Sequence, residues 1–218
     1  MKYTILIITI LSLSMLTARP SAYPVTTIVE QFGATWCDGC AVANQGLSVI
    51  NADTHNGEVV FTRLYTTSGD LSNPEVESRF THYQVFGLPE VILNGKSRIP
   101  GAGEGIADGY YYHHALKHHR YATSPLMMTV TDFTPASGAF SGNVTMLDAE
   151  VDISGATIYY YLIEDNVSEG VTNVVRSIVS EPFSLSGLNS TFAFNAMFSV
   201  NPAWNAAHLW AVAFVQMP

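Results

Sequence analysis

Cysteine and positive charge are both scarce in this chain. Its 218 residues include two cysteines, and nine Lys and Arg residues stand against eighteen Asp and Glu, so the formal net charge is −9. That acidity argues against nucleic acid and anionic membrane surfaces as partners, because both are bound by clusters of Lys and Arg. With no further cysteines, Cys37 and Cys40 cannot form a four-thiolate zinc site within the chain or cross-link distant segments.

Charged residues of either sign are also few, at 12% of the chain, whereas apolar residues make up 48%. This composition can bury a hydrophobic core and excludes disorder of the whole chain. The length is that of one large domain or two domains of ordinary size.

A long apolar run occurs at the N-terminus. Lys2 precedes a nearly unbroken apolar stretch over residues 3–16, and small residues such as Ala18 and Ala22 follow. The run is shorter than the roughly 20 residues that span a bilayer, so residues 1–22 are predicted to be a signal peptide, with an uncleaved anchor as the alternative. The protein is therefore expected to be exported, to the periplasm or the cell exterior, where disulfides persist.

Residues 24–121 alternate between strand and helix patterns. Apolar spacing predicts a helix over residues 38–52, and Asn73-Pro74-Glu75 combines a capping side chain, a first-turn proline and an acid, which is typical of a helix start. The order predicts an α/β sheet with flanking helices. Strands are expected over 25–32, 59–65, 88–93 and 97–99, and a last helix over 104–120.

Residues 125–218 show short strand patterns separated by Gly, Ser, Asn and Pro, which predicts an all-β sandwich. This half contains eight acids and a single base, Arg176, so the acidity of the chain is concentrated there. Strands are expected over 127–133, 140–147, 157–164, 174–179, 191–198 and 209–216.

Cys37 and Cys40 stand where the first predicted strand leads into the first helix. Sulfurs at positions i and i+3 of a first helical turn are close enough to bond, and the helix N-terminus stabilises a thiolate. Cys37 would be the exposed nucleophile, and Cys40, one turn later, would resolve a mixed disulfide. A static structural disulfide is the alternative interpretation.

Two segments resemble the thioredoxin superfamily. Residues 29–40 (VEQFGATWCDGC) look like its first strand and active-site loop, and residues 83–95 (YQVFGLPEVILNG) look like the segment that faces that loop. The resemblance implies a thioredoxin fold in which the Leu88–Pro89 peptide bond is cis and Pro89 packs beside Cys37. It also implies that the Leu88 backbone pairs with a substrate strand and that Trp36 covers the cysteine pair.

The chain also resembles a subgroup of exported bacterial proteins related to outer-membrane proteins, in which a thioredoxin-like domain precedes an immunoglobulin-like β domain. Residues 69–95 carry this likeness, and residues 161–165, 173–176 and 209–216 carry a weaker one. It implies a thioredoxin-like domain over 24–121 and an immunoglobulin-like sandwich over 125–218.

Two features depart from the superfamily pattern. Gln31 occupies the position where thioredoxins usually have a buried carboxylate that accepts the proton of the resolving cysteine, and the neighbouring Glu30 should face the other side of its strand. Asp38 and Gly39 separate the cysteines, and an acid next to Cys37 disfavours its thiolate. The pair is therefore expected to be more reducing than the strongly oxidising exported members.

Two other patterns could in principle bind metal ions. His114 and His118 lie one helical turn apart, and Asp148, Glu150 and Asp152 alternate along the chain. A solvated helix face and a solvent-facing strand are the simpler interpretations, so no metal site is predicted, and disulfide exchange needs no cofactor.

The sequence therefore predicts a disulfide oxidoreductase that acts on thiols or disulfides of other exported proteins. The rival hypothesis is a non-catalytic surface or adhesion protein in which this fold is a scaffold and the disulfide is inert. The sequence does not predict the oligomeric state or the direction of electron flow.

Overall fold

The computed structural model describes residues 22–52, 54 and 57–218. The predicted signal peptide lies outside these residues except for Ala22. In the described part of the chain, no helix is both long and apolar enough to cross a bilayer.

Twelve strands and three α-helices form within the described residues. The helices are α1 (Asp38–Ala52), α2 (Pro74–Tyr83) and α3 (Tyr110–His119). The strands are β1 (Tyr23–Pro24), β2 (Thr27–Gly33), β3 (Val59–Tyr65), β4 (Glu90–Leu93), β5 (Ser97–Pro100), β6 (Thr123–Ser124), β7 (Leu126–Thr134), β8 (Ala139–Met146), β9 (Thr157–Glu164), β10 (Val174–Pro182), β11 (Thr191–Met197) and β12 (Leu209–Gln216). The predicted order of an α/β half followed by a β half is present.

A seven-stranded mixed sheet runs through both halves, in the order β12-β9-β10-β3-β2-β4-β5. The two halves meet where β10 pairs in parallel with β3, with Val174 opposite Arg63, and the Arg63 N–H donates a 2.8 Å hydrogen bond to the Asn173 carbonyl. The domain boundary expected between residues 121 and 125 stays a prediction. Strands from both sides of that boundary belong to the same hydrogen-bonded sheet.

The faces of this sheet are covered differently. Apolar residues of α2 pack against β2 and β4 and also against β9, β10 and β12, so one face carries a single core that spans both halves. On the other face, α1 and α3 cover the α/β half. A three-stranded antiparallel sheet, β11-β8-β7, covers the β half on this second face and buries a core rich in aromatic residues.

A buried ion pair joins the halves beneath α2. Arg79 of α2 donates to both oxygens of Glu30 on β2, at 2.9 and 3.1 Å, and both side chains are almost fully shielded from solvent. The Tyr161 hydroxyl of β9 donates to Glu30 at 2.6 Å, and Arg79 also donates to Gln216 of β12 at 2.7 Å. Buried charges need this degree of pairing, because an unpaired ion in the core costs several kcal/mol.

Several sequence-based boundaries were wrong. The first long strand begins at Thr27 instead of residue 25, and β10 extends to Pro182 instead of ending at residue 179. The last helix begins at Tyr110 instead of residue 104, because Gly105 and Gly109 have φ values of +80° and +76°, which a right-handed helix cannot contain. Strand β4 begins at Glu90 instead of residue 88, because Leu88 and Pro89 form a bend before the strand.

The sequence predicted a solvent-facing strand for Asp148, Glu150 and Asp152, and this prediction was wrong. These residues occupy turns between β8 and β9, where backbone N–H groups two residues further on bind Asp148 and Asp152. Short polar side chains favour such local hydrogen bonds over a strand ladder.

Candidate functional site

Cys37 and Cys40 form a disulfide at the start of α1, with their Cα atoms 5.3 Å apart. Cys37 is half-buried and immediately precedes the helix, whereas Cys40, in its first turn, is 4% exposed. The backbone N–H of Cys40 points at the Cys37 sulfur, with an N to Sγ distance of 3.1 Å. The same N–H also donates a 3.0 Å hydrogen bond to the Cys37 carbonyl. Because it lies in the first turn of α1 and is directed at the sulfur, it would stabilise a Cys37 thiolate.

The loop before β4 lies directly against this turn. The Leu88–Pro89 peptide bond is cis, which confirms the expectation from the resemblance. A Cβ atom added at Gly39 would come within 3.1 Å of Pro89 Cδ and of Ala102 Cβ, so Gly39 allows the loop to approach the cysteine pair closely. Pro89 is buried, and its carbonyl accepts a 2.7 Å hydrogen bond from the Gly101 N–H.

The backbone of Leu88 is unpaired. Among the described residues, neither its N–H nor its carbonyl forms a hydrogen bond, and its side chain is half-buried. An extended polypeptide could therefore pair with this backbone beside Cys37 without breaking any existing bond.

Cys40 lies above the end of β2. A Cβ atom at Gly33 would be 3.2 Å from the Cys40 sulfur and 4.0 Å from the Tyr65 ring, so only a glycine leaves room for this sulfur at its present position. Gln31 lies on the same face of β2 as Gly33 and is 3% exposed. Its Oε1 atom is buried and has no hydrogen-bond donor among the described residues.

Glu30 faces the opposite side of β2, as its position next to Gln31 predicted. Its carboxylate is bound by Arg79, Tyr83 and Tyr161. Burial and the Glu30 carboxylate raise the pKa of Tyr161 well above its usual value. Burial is the largest single influence and lowers the pKa of Arg79, but Glu30, Tyr161 and Tyr83 together more than offset it, so the pKa is raised and Arg79 stays charged. Glu30 is therefore a structural ion and does not serve the cysteines.

A groove of about 580 Å³ opens beside Cys37. The predicted site residues Trp36, Cys37, Asp38, Gly39 and Leu88 all line it. Pro89, packed against Gly39, lies next to the groove, whereas Cys40 and Gln31 lie beneath it in the core.

Trp36 stands at the edge of the groove with 64% of its surface exposed. Its indole Nε1 donates a 3.2 Å hydrogen bond to the Thr67 hydroxyl, which holds the ring beside the opening. The indole therefore presents an accessible aromatic surface next to Cys37.

Phe86 and Glu77 are among the groove residues that sequence reasoning missed. Phe86 is 92% exposed, three residues before Pro89, and an aromatic residue next to the Gly87-Leu88-Pro89 loop was the signal that could have revealed it. Glu77 comes from α2. Its carboxylate accepts hydrogen bonds of 2.7 and 2.9 Å from the Thr66 hydroxyl, and no local sequence pattern predicts this contact.

The histidine-rich helix α3 offers no complete metal site. The His114 and His118 rings are 5.1 Å apart, and across residues 22–52, 54 and 57–218 no group of three potential His, Cys, Asp or Glu ligands is present. His119 is buried, and its Nε2 atom lies 2.8 Å from the Ser97 hydroxyl.

Comparison with known proteins gives a likeness of fold. No protein-family model matches the chain, and no curated protein matches it. The solved structure of HBP35 of Porphyromonas gingivalis superimposes with a TM-score of 0.71 at 15% sequence identity, over 90% of this chain and 70% of that chain. The two chains share a fold. Because 90% of the present chain is covered, the likeness includes residues of both halves.

A second solved structure, described as that of a malarial protein, has a TM-score of 0.32 and 18% identity, over 45% of this chain and 100% of that chain. A TM-score this low carries no argument about fold or function.

Proposed function

We propose that this protein is an exported thiol–disulfide oxidoreductase of the thioredoxin superfamily that acts on cysteines of other exported proteins. The observation that carries the proposal is the Cys37–Cys40 disulfide at the N-terminus of α1, with the accessible sulfur beside the unpaired backbone of Leu88. A purely structural disulfide gains little from this position, because it closes a very short loop and constrains the unfolded chain weakly.

The exchange starts from the oxidised pair seen here. A substrate thiolate attacks the Cys37 sulfur, the Cys37–Cys40 bond breaks, and Cys40 leaves as a thiolate that takes up a proton. A second substrate thiolate then attacks the substrate sulfur of the mixed disulfide, and Cys37 leaves as a thiolate. Two electrons and two protons pass from the substrate dithiol to the cysteine pair. In the reverse direction, Cys37 attacks a substrate disulfide and Cys40 resolves the mixed disulfide.

The proposed roles follow from position. Cys37 is the half-buried sulfur at the groove and Cys40 is the buried one. Leu88 would offer its backbone to the substrate strand, Pro89 would hold that loop against the cysteine turn, and Trp36 would shield the reacting sulfurs. No cofactor is needed, because the substrate thiols carry the electrons.

Insulin reduction with dithiothreitol as the electron donor tests this activity. The full exported chain is expected to accelerate insulin precipitation, and Cys37→Ser is expected to abolish the acceleration. Ser48→Ala, on the exposed face of α1, is the control variant and should retain it. A wild-type protein that gives no acceleration at all, although its cysteines are reduced, would contradict the proposal.

One observation favours the rival, a binding or adhesion protein with an inert disulfide. Gln31 cannot titrate, and its Oε1 is buried without a donor, so no protein carboxylate takes the Cys40 proton from that position. Under this second hypothesis the pair would stay oxidised in millimolar reductant, and Cys37→Ser would leave partner binding unchanged.

A further inference from the structure

We infer that the groove beside Cys37 selects cysteine-containing protein segments that carry both a large apolar or aromatic side chain and a Lys or Arg close to the cysteine. The inference rests on the proposed disulfide exchange and names the substrate class of that same site. Support for this substrate class comes from one groove that is lined by two exposed aromatic rings and by two carboxylates that have no cationic partner among the described residues.

The apolar preference comes from Trp36 and Phe86. They are 64% and 92% exposed, and both line the groove that contains Cys37. Leu88 and Val85, both half-buried, extend the apolar wall between the rings and the loop. Aromatic residues exposed to this degree beside a concave site are typical of contact surfaces, because covering them with an apolar side chain removes a large area from water.

The charge preference comes from Asp38 and Glu77. Both line the groove, and no Lys, Arg or His side chain does so. Among the described residues, neither carboxylate has a basic partner within ion-pair distance, and the Thr66 hydroxyl holds Glu77 in place. A concave site of one charge sign concentrates ligands of the opposite sign and repels those of the same sign.

The free backbone of Leu88 adds the requirement for an extended chain. A segment that pairs with it would run past Cys37 and present alternate side chains to the groove. A cysteine can then face Cys37 while neighbouring residues reach the rings and the carboxylates. Compact folded substrates without such a segment are expected to react slowly.

Trapping with a single reactive thiol tests the inference. The full chain with Cys40→Ser is mixed with four peptides of equal length, in which the cysteine is activated as a mixed disulfide with thionitrobenzoate. The Cys37 thiolate attacks the peptide sulfur, the peptide–thionitrobenzoate bond breaks, and the coloured thionitrobenzoate anion leaves with the electron pair. The peptides combine Phe or Ala on one side of the cysteine with Lys or Glu on the other.

The Phe/Lys peptide is expected to react fastest. At low ionic strength the Lys peptides should react roughly fivefold faster than the Glu peptides, and added salt should reduce that ratio of rates. Glu77→Gln should lower the Lys-to-Glu ratio, whereas Glu75→Gln, an equal charge change on an exposed residue of α2 outside the groove, should not. Phe86→Ala should weaken the preference for Phe, because only Trp36 then remains as an exposed ring, whereas Tyr121→Ala, at a residue 86% exposed elsewhere, should keep it.

Hydroxyethyl disulfide, which is small and uncharged, separates the two possible failures. A protein that reacts with this reagent but treats all four peptides alike overturns the substrate class and leaves the exchange activity standing. A protein whose reduced Cys37 reacts with neither the reagent nor the peptides overturns the proposed function and the inference together.

Discussion

The hydroxyl of Tyr161 donates a 2.6 Å hydrogen bond to the carboxylate of Glu30, a residue 131 positions earlier in the chain. Glu30 belongs to the α/β half and Tyr161 to the β half. Together with the parallel pairing of β3 and β10, this bond makes the second half part of the body that holds the cysteine site. The β half is therefore expected to stabilise the site directly.

Tyr161→Phe is expected to lower the free energy of unfolding by about 2 kcal/mol, because it removes one buried hydrogen bond to a charged group and keeps the ring. Chemical denaturation monitored by circular dichroism measures the change. Tyr159→Phe is the matched control. Tyr159 lies on the same strand and its ring stacks on Phe214, but its hydroxyl forms no hydrogen bond in the described structure, so the free energy should hardly change. Equal effects of the two variants would contradict a structural role of the Tyr161 hydroxyl.

Stability is expected to fall as the pH drops from about 7 to 5, partly because of His119. Burial, followed by the charges of Lys96 and His118, lowers the pKa of His119 in the folded state. Below the unfolded pKa of about 6.5, the unfolded chain binds a proton that the folded chain does not, so stability present above that pH is lost as the pH falls toward the folded pKa.

His119→Gln is expected to make this decline shallower, as measured by denaturation at a series of pH values. His114→Gln, at an exposed position of the same helix, should leave the slope as it is. His82, whose pKa is lowered first by burial and then by Arg79, would retain part of the decline in both variants. A slope that is the same in wild type and His119→Gln would show that the decline has another origin.

Gln31→Glu is expected to speed disulfide exchange, because it places a titratable group on the strand face beneath Cys40. Burial would raise the pKa of the new carboxyl, so the variant should lose stability as the pH rises through the unfolded carboxyl pKa toward the folded value. The pH dependence of insulin reduction should acquire an additional step that wild type lacks. Gln45→Glu, at an exposed position of α1, is the control and should show neither effect. An unchanged pH profile for Gln31→Glu would mean that proton transfer from Cys40 does not pass through position 31.

The local parts of the fold could be predicted from the sequence, and the long-range parts could not. Helix α1 and strands β3 and β9 begin and end at the predicted residues, because their apolar spacing and flanking turn residues are local signals. The pairing of β10 with β3 joins segments more than a hundred residues apart, and nothing near Val174 or Arg63 indicates it. Glu30, the one ionisable residue of β2, did carry a hint, since a buried carboxylate requires a buried partner.

The candidate site likewise has residues that local motifs predict and residues that only tertiary packing brings there. Five of the predicted site residues line one groove, and all five belong to the two short motifs over residues 29–40 and 83–95: Trp36, Cys37, Asp38, Gly39 and Leu88. Glu77 reaches the groove from a helix that the motifs do not include, and its position depends on the packing of α2 against the sheet. Residues brought to a site by tertiary packing leave no spacing pattern that a single sequence can reveal.

Equilibration of the intact protein with glutathione redox buffers, followed by alkylation and mass measurement of Cys37 and Cys40, tests the central claim most directly. The account predicts a fully reversible two-electron transition whose midpoint is more reducing than the roughly −120 mV of strongly oxidising exported proteins, because Asp38 disfavours the Cys37 thiolate. A pair that remains oxidised in millimolar reductant would contradict redox function, and a midpoint near −120 mV would contradict the role given to Asp38.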